Sequence, residues 1–330
     1  MVRPSLCIVT PALASSNNGN WQTALRWSKM LREHYRIALV DHWDGTPADV
    51  MIALHARRSA ASIERWCGTQ PHQPLAVVLT GTDLYRDIQF DASAQRSLAL
   101  ADRLVVLHER AVDDLPVLYR DKATACFQST RSLAPLRKPH RHLRALMVGH
   151  LRAEKAPQTY FAAARRLVDR PDILLDHIGA ALDPAWSIEA KSAQQACPAY
   201  RWLGPLPHAD ARRRIQAAHV LVHPSVIEGG AHVVMEAVCS GTPVLASRIA
   251  GNIGMLGEDY GGYFELGDSE ALAALLQRCR DEPAMLDRLA AQCASRAPLF
   301  EPALEQATLL ALLCAMIGSK TSGKNTGPYR

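Results

Sequence analysis

The chain has 330 residues, 48% apolar and 21% charged, a balance that argues against a disordered or membrane-embedded protein. Its formal net charge is +5, but Lys320, Lys324 and Arg330 belong to the tail after Ile317, and the remaining +2 gives no reason to expect a nucleic-acid partner. Eight cysteines are dispersed without a C-x-x-C pair, so they read as reduced core thiols of a cytoplasmic protein rather than a disulfide frame or a zinc site.

The opening Ser5-Leu6-Cys7-Ile8-Val9-Thr10 is too short for a signal-peptide core and reads as a first strand. Further strands are predicted over 37–41, 50–55, 75–80 and 104–108, with a helix over 21–33. That helix carries Arg26, Lys29 and Arg32 at spacing three without a strongly apolar opposite face, and no apolar run approaches the roughly 20 residues that cross a bilayer, so no membrane partner is expected. A prolyl, basic stretch at 135–140 reads as a linker, after which the rhythm restarts. Strands are predicted over 144–148, 173–178, 220–223 and 244–247, and helices over 159–169, 209–218 and 232–240. Short apolar strands alternating with helices predict an α/β protein with two doubly wound, Rossmann-like domains facing across a cleft. The expected division is 1–138, 139–300, a C-terminal helix over 301–318 that returns to the first domain, and a flexible tail over 319–330.

The most informative run is 219–256, where Glu228 and Glu236 stand eight apart with Gly229, Gly230 and Ala231 between them. A buried strand, a Pro-Ser turn, a Gly-Gly loop and a helix start converge there, and free backbone N–H groups at such a junction suit an anion. Two flanking carboxylates would accept hydroxyls, so the pair suits a nucleotide sugar. By itself the spacing is also that of two surface glutamates. Gly149-His150-Leu151-Arg152-Ala153-Glu154-Lys155 follows another strand and reads as a basic loop. Asn18, Gly19 and Asn20 follow the first strand as a polar turn that caps a helix. Thr80-Gly81-Thr82-Asp83 reads as a turn with Asp83 capping.

In its frame, the run Pro224-Ser225 through Glu228-Gly229 to Glu236-Ala237 and Gly241-Thr242-Pro243-Val244 resembles the retaining glycosyltransferases of family 4, which have the GT-B fold. The resemblance covers roughly 143–280 well and the first half weakly. It implies that the first domain is the acceptor side and the second binds the nucleotide sugar. Glu236 would accept the ribose hydroxyls, Glu228 those of the donor sugar, and Gly229, Gly230 and Ala231 would cradle sugar and phosphate. Lys155 matches the family's pyrophosphate lysine. His150 stands where an arginine is expected, so leaving-group stabilisation falls to Lys155 with Arg152 as stand-in. Gly19 and Asn20 would face the donor phosphates. Asn18, Thr80 and Thr82 would face the acceptor, with Asp83 as a candidate base. Gly254 or its neighbour replaces a glutamate common in the family.

The Thr80-Gly-Thr-Asp-Leu-Tyr85 and Asp259-Tyr-Gly-Gly-Tyr-Phe264 phrases further resemble the selenosugar synthases of selenoneine biosynthesis. That branch implies UDP-N-acetylglucosamine and selenophosphate as substrates. No D-x-D triplet is present, so neither a metal nor another cofactor is expected. Three rivals stay open: a conventional transferase with a hydroxyl acceptor, a non-hydrolysing nucleotide-sugar epimerase, and a catalytically silent nucleotide-sugar-binding module.

Overall fold

The computed structural model describes residues 3–12 and 19–322, with side chains described as far as Gly318. Two compact units emerge, one made of Met1–Gln128 with Pro302–Arg330 and the other of Ser129–Glu301.

The first unit holds strands β1 (Ser5–Val9), β2 (Arg36–Val40), β3 (Val50–Leu54), β4 (Leu75–Val78), β5 (Arg103–Val106) and β6 (Ala123–Ala125). They form one parallel sheet in the order β2-β1-β3-β4-β5-β6. Its helices are α1 (Gly19–Leu31), α2 (Ala60–Thr69), the short α3 (Ile88–Phe90) after a π-helical turn over Asp83–Asp87, and α4 (Ala92–Leu100). Successive strand residues point to opposite faces. Leu6, Ile8, Val50 and Ile52 accordingly pack with Trp27 of α1, while Cys7, Val9, Met51 and Ala53 pack with Trp66 of α2. Burial on both faces is why β3 and β4 read as unbroken apolar runs.

In the second unit β7 (Leu143–Val148), β8 (Ile173–Ile178), β9 (Tyr200–Trp202), β10 (Val220–His223), β11 (Val244–Ser247) and β12 (Tyr263–Phe264) form a parallel sheet ordered β12-β11-β10-β7-β8-β9. The helices are α5 (Pro157–Arg166), α6 (Pro184–Ala196), α7 (His208–Ala217), α8 (His232–Val238), α9 (Ala250–Leu256), α10 (Ser269–Asp281) and α11 (Pro283–Arg296). Tyr160 and Phe161 of α5 meet Tyr200 edge-on, with ring centroids 5.9 and 5.6 Å apart.

Three differences from the predicted elements have physical causes. The division falls at Gln128/Ser129 rather than at 138, because the intervening strand of chain is tied to the second unit: Leu133 N–H donates to Cys239 O at 2.8 Å, and Arg212 Nη2 and Gln216 Nε2 donate to Arg131 O and Ala134 O. The edge strands β6, β9 and β12 span two or three residues, too few to show a period. Helix α12 (Pro302–Ser322) completes the first unit. The stretch Pro283–Gly318, which overlaps it, is long and apolar enough by length and composition to cross a bilayer, which corrects the expectation that no segment is. Leu309, Leu312, Leu313 and Met316 of α12 are buried in the first unit's core beside Trp27. Each such burial is worth about 1.5–3 kcal/mol. Buried Glu305 fixes its register, accepting from Arg26 Nε at 2.9 Å and Trp27 Nε1 at 2.6 Å.

Candidate functional site

In the second sheet, β7 is flanked by β8 and β10, so the direction of winding reverses between β7 and β10. The crevice outside the carboxyl ends of two such strands is where doubly wound sheets take ligands. The loops leaving them are the two singled out from the sequence, Gly149–Lys155 and Pro224–Ala231. They are tied together, with Val226 N–H donating to Glu154 O at 2.9 Å.

At their junction the Lys155 ammonium donates to Glu228 Oε1, and His223 Nε2 lies 3.2 Å from the same oxygen. The side chains are 17%, 11% and 2% exposed, so the cluster is largely shielded from water. Burial alone would push the Glu228 carboxyl up, but Lys155 and then His223 hold it well below the usual carboxylate range. Burial pushes the His223 imidazole down, against the opposing pull of Glu228, which leaves it neutral near pH 7. The result is a fixed ammonium and a fixed carboxylate side by side. Gly251 lets the loop sit so close: a Cβ there would fall 2.0 Å from Glu228 O. Gly179 does the same for the other loop, since a Cβ would meet Gly149 O at 1.9 Å.

His150 is exposed, and its Nδ1 accepts from Ala180 N–H at 3.2 Å, which leaves Nε2–H as the donor. Partial burial, then Arg152 and Lys155, push its pKa down. It can donate a hydrogen bond but carries no charge near pH 7. Arg152 is about half exposed and only loosely paired, its Nε 3.9 Å from Glu154 Oε2.

Glu236 is buried on α8 and has partners of its own. His208 Nε2 stands 2.6 Å from its Oε1 and Arg212 Nη1 3.9 Å from it, both from α7. Arg212 is itself held by Nη2 donating to Arg131 O at 2.7 Å. The expected cradle is narrower than the sequence suggests. Ala231 N–H donates to Met255 Sδ at 3.1 Å and so is not open to a phosphate, whereas among the described residues the amides of Gly229 and Gly230 find no acceptor.

In the first unit Asp83, a candidate base by the resemblance, has both carboxylate oxygens engaged by backbone N–H groups. It is fully buried, with Oδ1 accepting from the N–H groups of Thr80 and Gly81 at 2.8 and 2.9 Å and Oδ2 from Ala56 N–H at 3.0 Å. A carboxylate so enclosed has no face for an acceptor proton. Thr82 Oγ1 instead lies 3.1 Å from His55 Nε2. Thr80 is half-buried, its hydroxyl 3.4 Å from Asp83. Gly19 and Asn20 form the first turn of α1 rather than a loop, and Gly19 O accepts from Thr23 Oγ1 at 2.8 Å. Asn18 lies outside the described residues.

His223, His208 and His55 were not singled out from the sequence. An imidazole ending an apolar strand just before Pro224 is a usable signal for His223. His208 is adjacent to Glu236 only through the packing of α7 on α8, which no local pattern encodes. Among the described residues, no His, Cys, Asp or Glu side chains are grouped in threes in a way that would hold a metal ion.

The family profile "Glycosyl transferases group 1" matches residues 128–297. A D-inositol 3-phosphate glycosyltransferase of Streptomyces griseus is 29% identical over 178 residues, 51% of this chain and 38% of the relative, so the match spans well under half of that protein's length. The crystal structure of Anabaena HepE in complex with UDP and glucose superposes with a TM-score of 0.76 at 13% identity, covering 95% of this chain and all of that one. The pneumococcal O-GlcNAc transferase GtfA with UDP and GlcNAc gives a TM-score of 0.69 at 16% identity, covering 90% of this chain and 60% of that one. At such identities the likeness is one of fold, and the fold, two parallel six-stranded α/β units, is GT-B.

Proposed function

Since the chain belongs to the glycosyl transferases group 1 family, we propose that it is a glycosyltransferase that moves N-acetylglucosamine from its UDP-activated form to selenophosphate, in the cytoplasm and without a metal. The observation that carries the transfer reading is the Lys155–Glu228–His223 cluster at the reversal between β7 and β10. Solved structures of the same fold holding UDP with glucose or GlcNAc support a UDP-sugar donor. Lys155 neutralises charge on the departing pyrophosphate, Glu228 accepts hydroxyls of the donor sugar, Glu236 those of the ribose, and His150 adds a neutral N–H. The sugar C1–O bond to the β-phosphate breaks with its electron pair leaving on UDP, and the selenium of selenophosphate forms the C1–Se bond. Water then cleaves P–Se, giving inorganic phosphate and the selenosugar. An anionic selenium nucleophile needs no strong base, which agrees with the enclosed state of Asp83.

The acceptor rests on the Thr80–Tyr85 and Asp259–Phe264 phrases. Incubation with UDP-N-acetylglucosamine, with and without selenophosphate, is expected to release UDP and a selenium-bearing sugar, read by mass spectrometry, only when selenophosphate is present. UDP release that ignores selenophosphate but responds to a hydroxyl acceptor such as inositol 3-phosphate would instead select the conventional transferase, a reading supported by the name of the Streptomyces relative.

A pH dependence follows from His208. Its hydrogen bond to Glu236 raises its pKa above the ordinary imidazole value, against partial burial and Arg212. The imidazolium that grips Glu236 therefore exists below that raised pKa and is lost as pH climbs through it. Ribose hydroxyls must displace it, so affinity for UDP is expected to rise between about pH 6 and about pH 8 and to flatten in His208→Ala. Calorimetric titration across that interval checks both; an affinity that falls with pH contradicts the displacement.

A further inference from the structure

The first sheet also reverses, between β1 and β3, which places a second ligand crevice outside the carboxyl ends of those two strands. The chain leaving β3 there reads His55-Ala56-Arg57-Arg58. His55 has φ +73°, a left-handed conformation that a side chain with a Cβ rarely adopts and that tends to persist where a site requires it. The turn is over-determined: His55 N–H donates to Val78 O at 2.8 Å, Ser59 N–H to His55 O at 3.1 Å, and Ala56 N–H to Asp83 at 3.0 Å.

Its consequence is a cluster of guanidinium groups. Arg57 Nε donates to Asp87 Oδ2 at 2.8 Å and Arg86 Nε to Asp87 Oδ1 at 3.0 Å, so two arginines share one carboxylate that is only 6% exposed. Both bind it through Nε, and their side chains are 39% and 47% exposed, which leaves their terminal Nη donors accessible. Arg58 is exposed and forms no ion pair among the described residues. Of the other carboxylates nearby, Asp83 is enclosed by backbone N–H groups, and Asp91, which also feels the charge of Arg57, accepts from the N–H groups of Ser93 and Ala94 at the start of α4. Among the described residues, guanidinium N–H donors therefore outnumber the carboxylate oxygens open to them. Beside them stand Thr82 Oγ1 and His55 Nε2, 3.1 Å apart.

We infer that this cluster seats the phosphate group of the acceptor, with Arg57 and Arg58 as its forks, the Thr82 hydroxyl as a further donor, and Asp87 holding Arg57 in place. A planar guanidinium meets two oxygens of a tetrahedral dianion at once, which a lysine cannot do. The proposal rests on the preceding reading only in that the acceptor bears a phosphate; selenophosphate and a polyol monophosphate present the same group.

The test uses the full chain saturated with UDP, so that phosphate cannot occupy the donor's pyrophosphate position. Inorganic phosphate titrated into it and followed by phosphorus NMR is expected to bind, and Arg58→Gln and Arg57→Lys are each expected to weaken binding at least about tenfold, the scale of one lost charge-assisted contact. Arg58→Gln removes no ion pair among the described residues, so its folding is not at stake, and unchanged UDP affinity checks this. In turnover, the same variants should raise KM for selenophosphate while leaving KM for the UDP-sugar alone. Absent binding in the wild type, or binding that both variants keep, overturns the site. If selenophosphate is not a substrate while phosphate binding still disappears in the variants, the anion site stands and the selenophosphate acceptor falls.

Discussion

Lys155→Ala is expected to lower the transfer rate by about 10²–10³-fold, the scale of losing one preorganised group that meets developing negative charge. The ammonium is held in place before any substrate arrives, by Glu228 and by the tie between Val226 N–H and Glu154 O. No other charged group at the β7 loop is held as firmly: His150 is neutral near pH 7 and Arg152 is half exposed. The same change removes the main partner of a carboxylate that is 11% exposed. Glu228 owes its depressed pKa to Lys155 first and His223 next, with burial opposing both, so the variant's carboxyl should titrate higher. The sign is that of a depressed acid: the pair stabilises the fold above the unfolded pKa, and that stability is lost as pH falls through the folded value. Thermal unfolding of the variant should therefore lose much of the wild type's stabilisation between about pH 4 and about pH 7. Lys155→Arg keeps the charge and should recover part of the rate. Full activity in Lys155→Ala would remove this residue from the reaction.

Glu236→Ala is expected to weaken UDP binding by about 10–100-fold, because hydrogen bonds to a charged acceptor contribute about 1.5–3 kcal/mol. The effect should appear in binding of UDP as much as of the UDP-sugar, since the ribose is common to both. Glu236→Gln keeps the shape and half the acceptor capacity and should fall between. Glu236→Ala leaves Arg212, 8% exposed, with the Arg131 carbonyl as its remaining oxygen partner, so some loss of stability accompanies it. A rate defect without a binding defect, measured by calorimetry beside turnover, would place Glu236 elsewhere in the mechanism.

Several features were legible because they are local. The strands over 173–178, 220–223 and 244–247 match β8, β10 and β11 residue for residue, since strands buried on both faces are mostly apolar runs, β8 being interrupted only by Asp176 and His177. The loops carrying Glu228 and Lys155 are legible at strand ends, their donor-site roles come from the family resemblance, and the structure brings the two side chains together. Asp83 was visible as a turn residue, but nothing in Thr80–Asp83 tells that Ala56 N–H arrives to close its second oxygen. The Ala231 amide looked open until α9 brought Met255 Sδ to it. His208 and Arg212 reach Glu236 only because α7 packs against α8.

By itself, then, the sequence determined the α/β alternation, the apolar strands, the glycine loops and the carboxylates and cations those loops carry, because each depends on the period or spacing of neighbouring residues. Only the tertiary structure decided the strand order that puts β7 beside β10 and β1 beside β3, the unit boundary at Gln128, and the partners of Glu228, Glu236 and Asp83. Those are contacts between segments far apart in the chain, and their energies are fixed by packing and burial that no local pattern records.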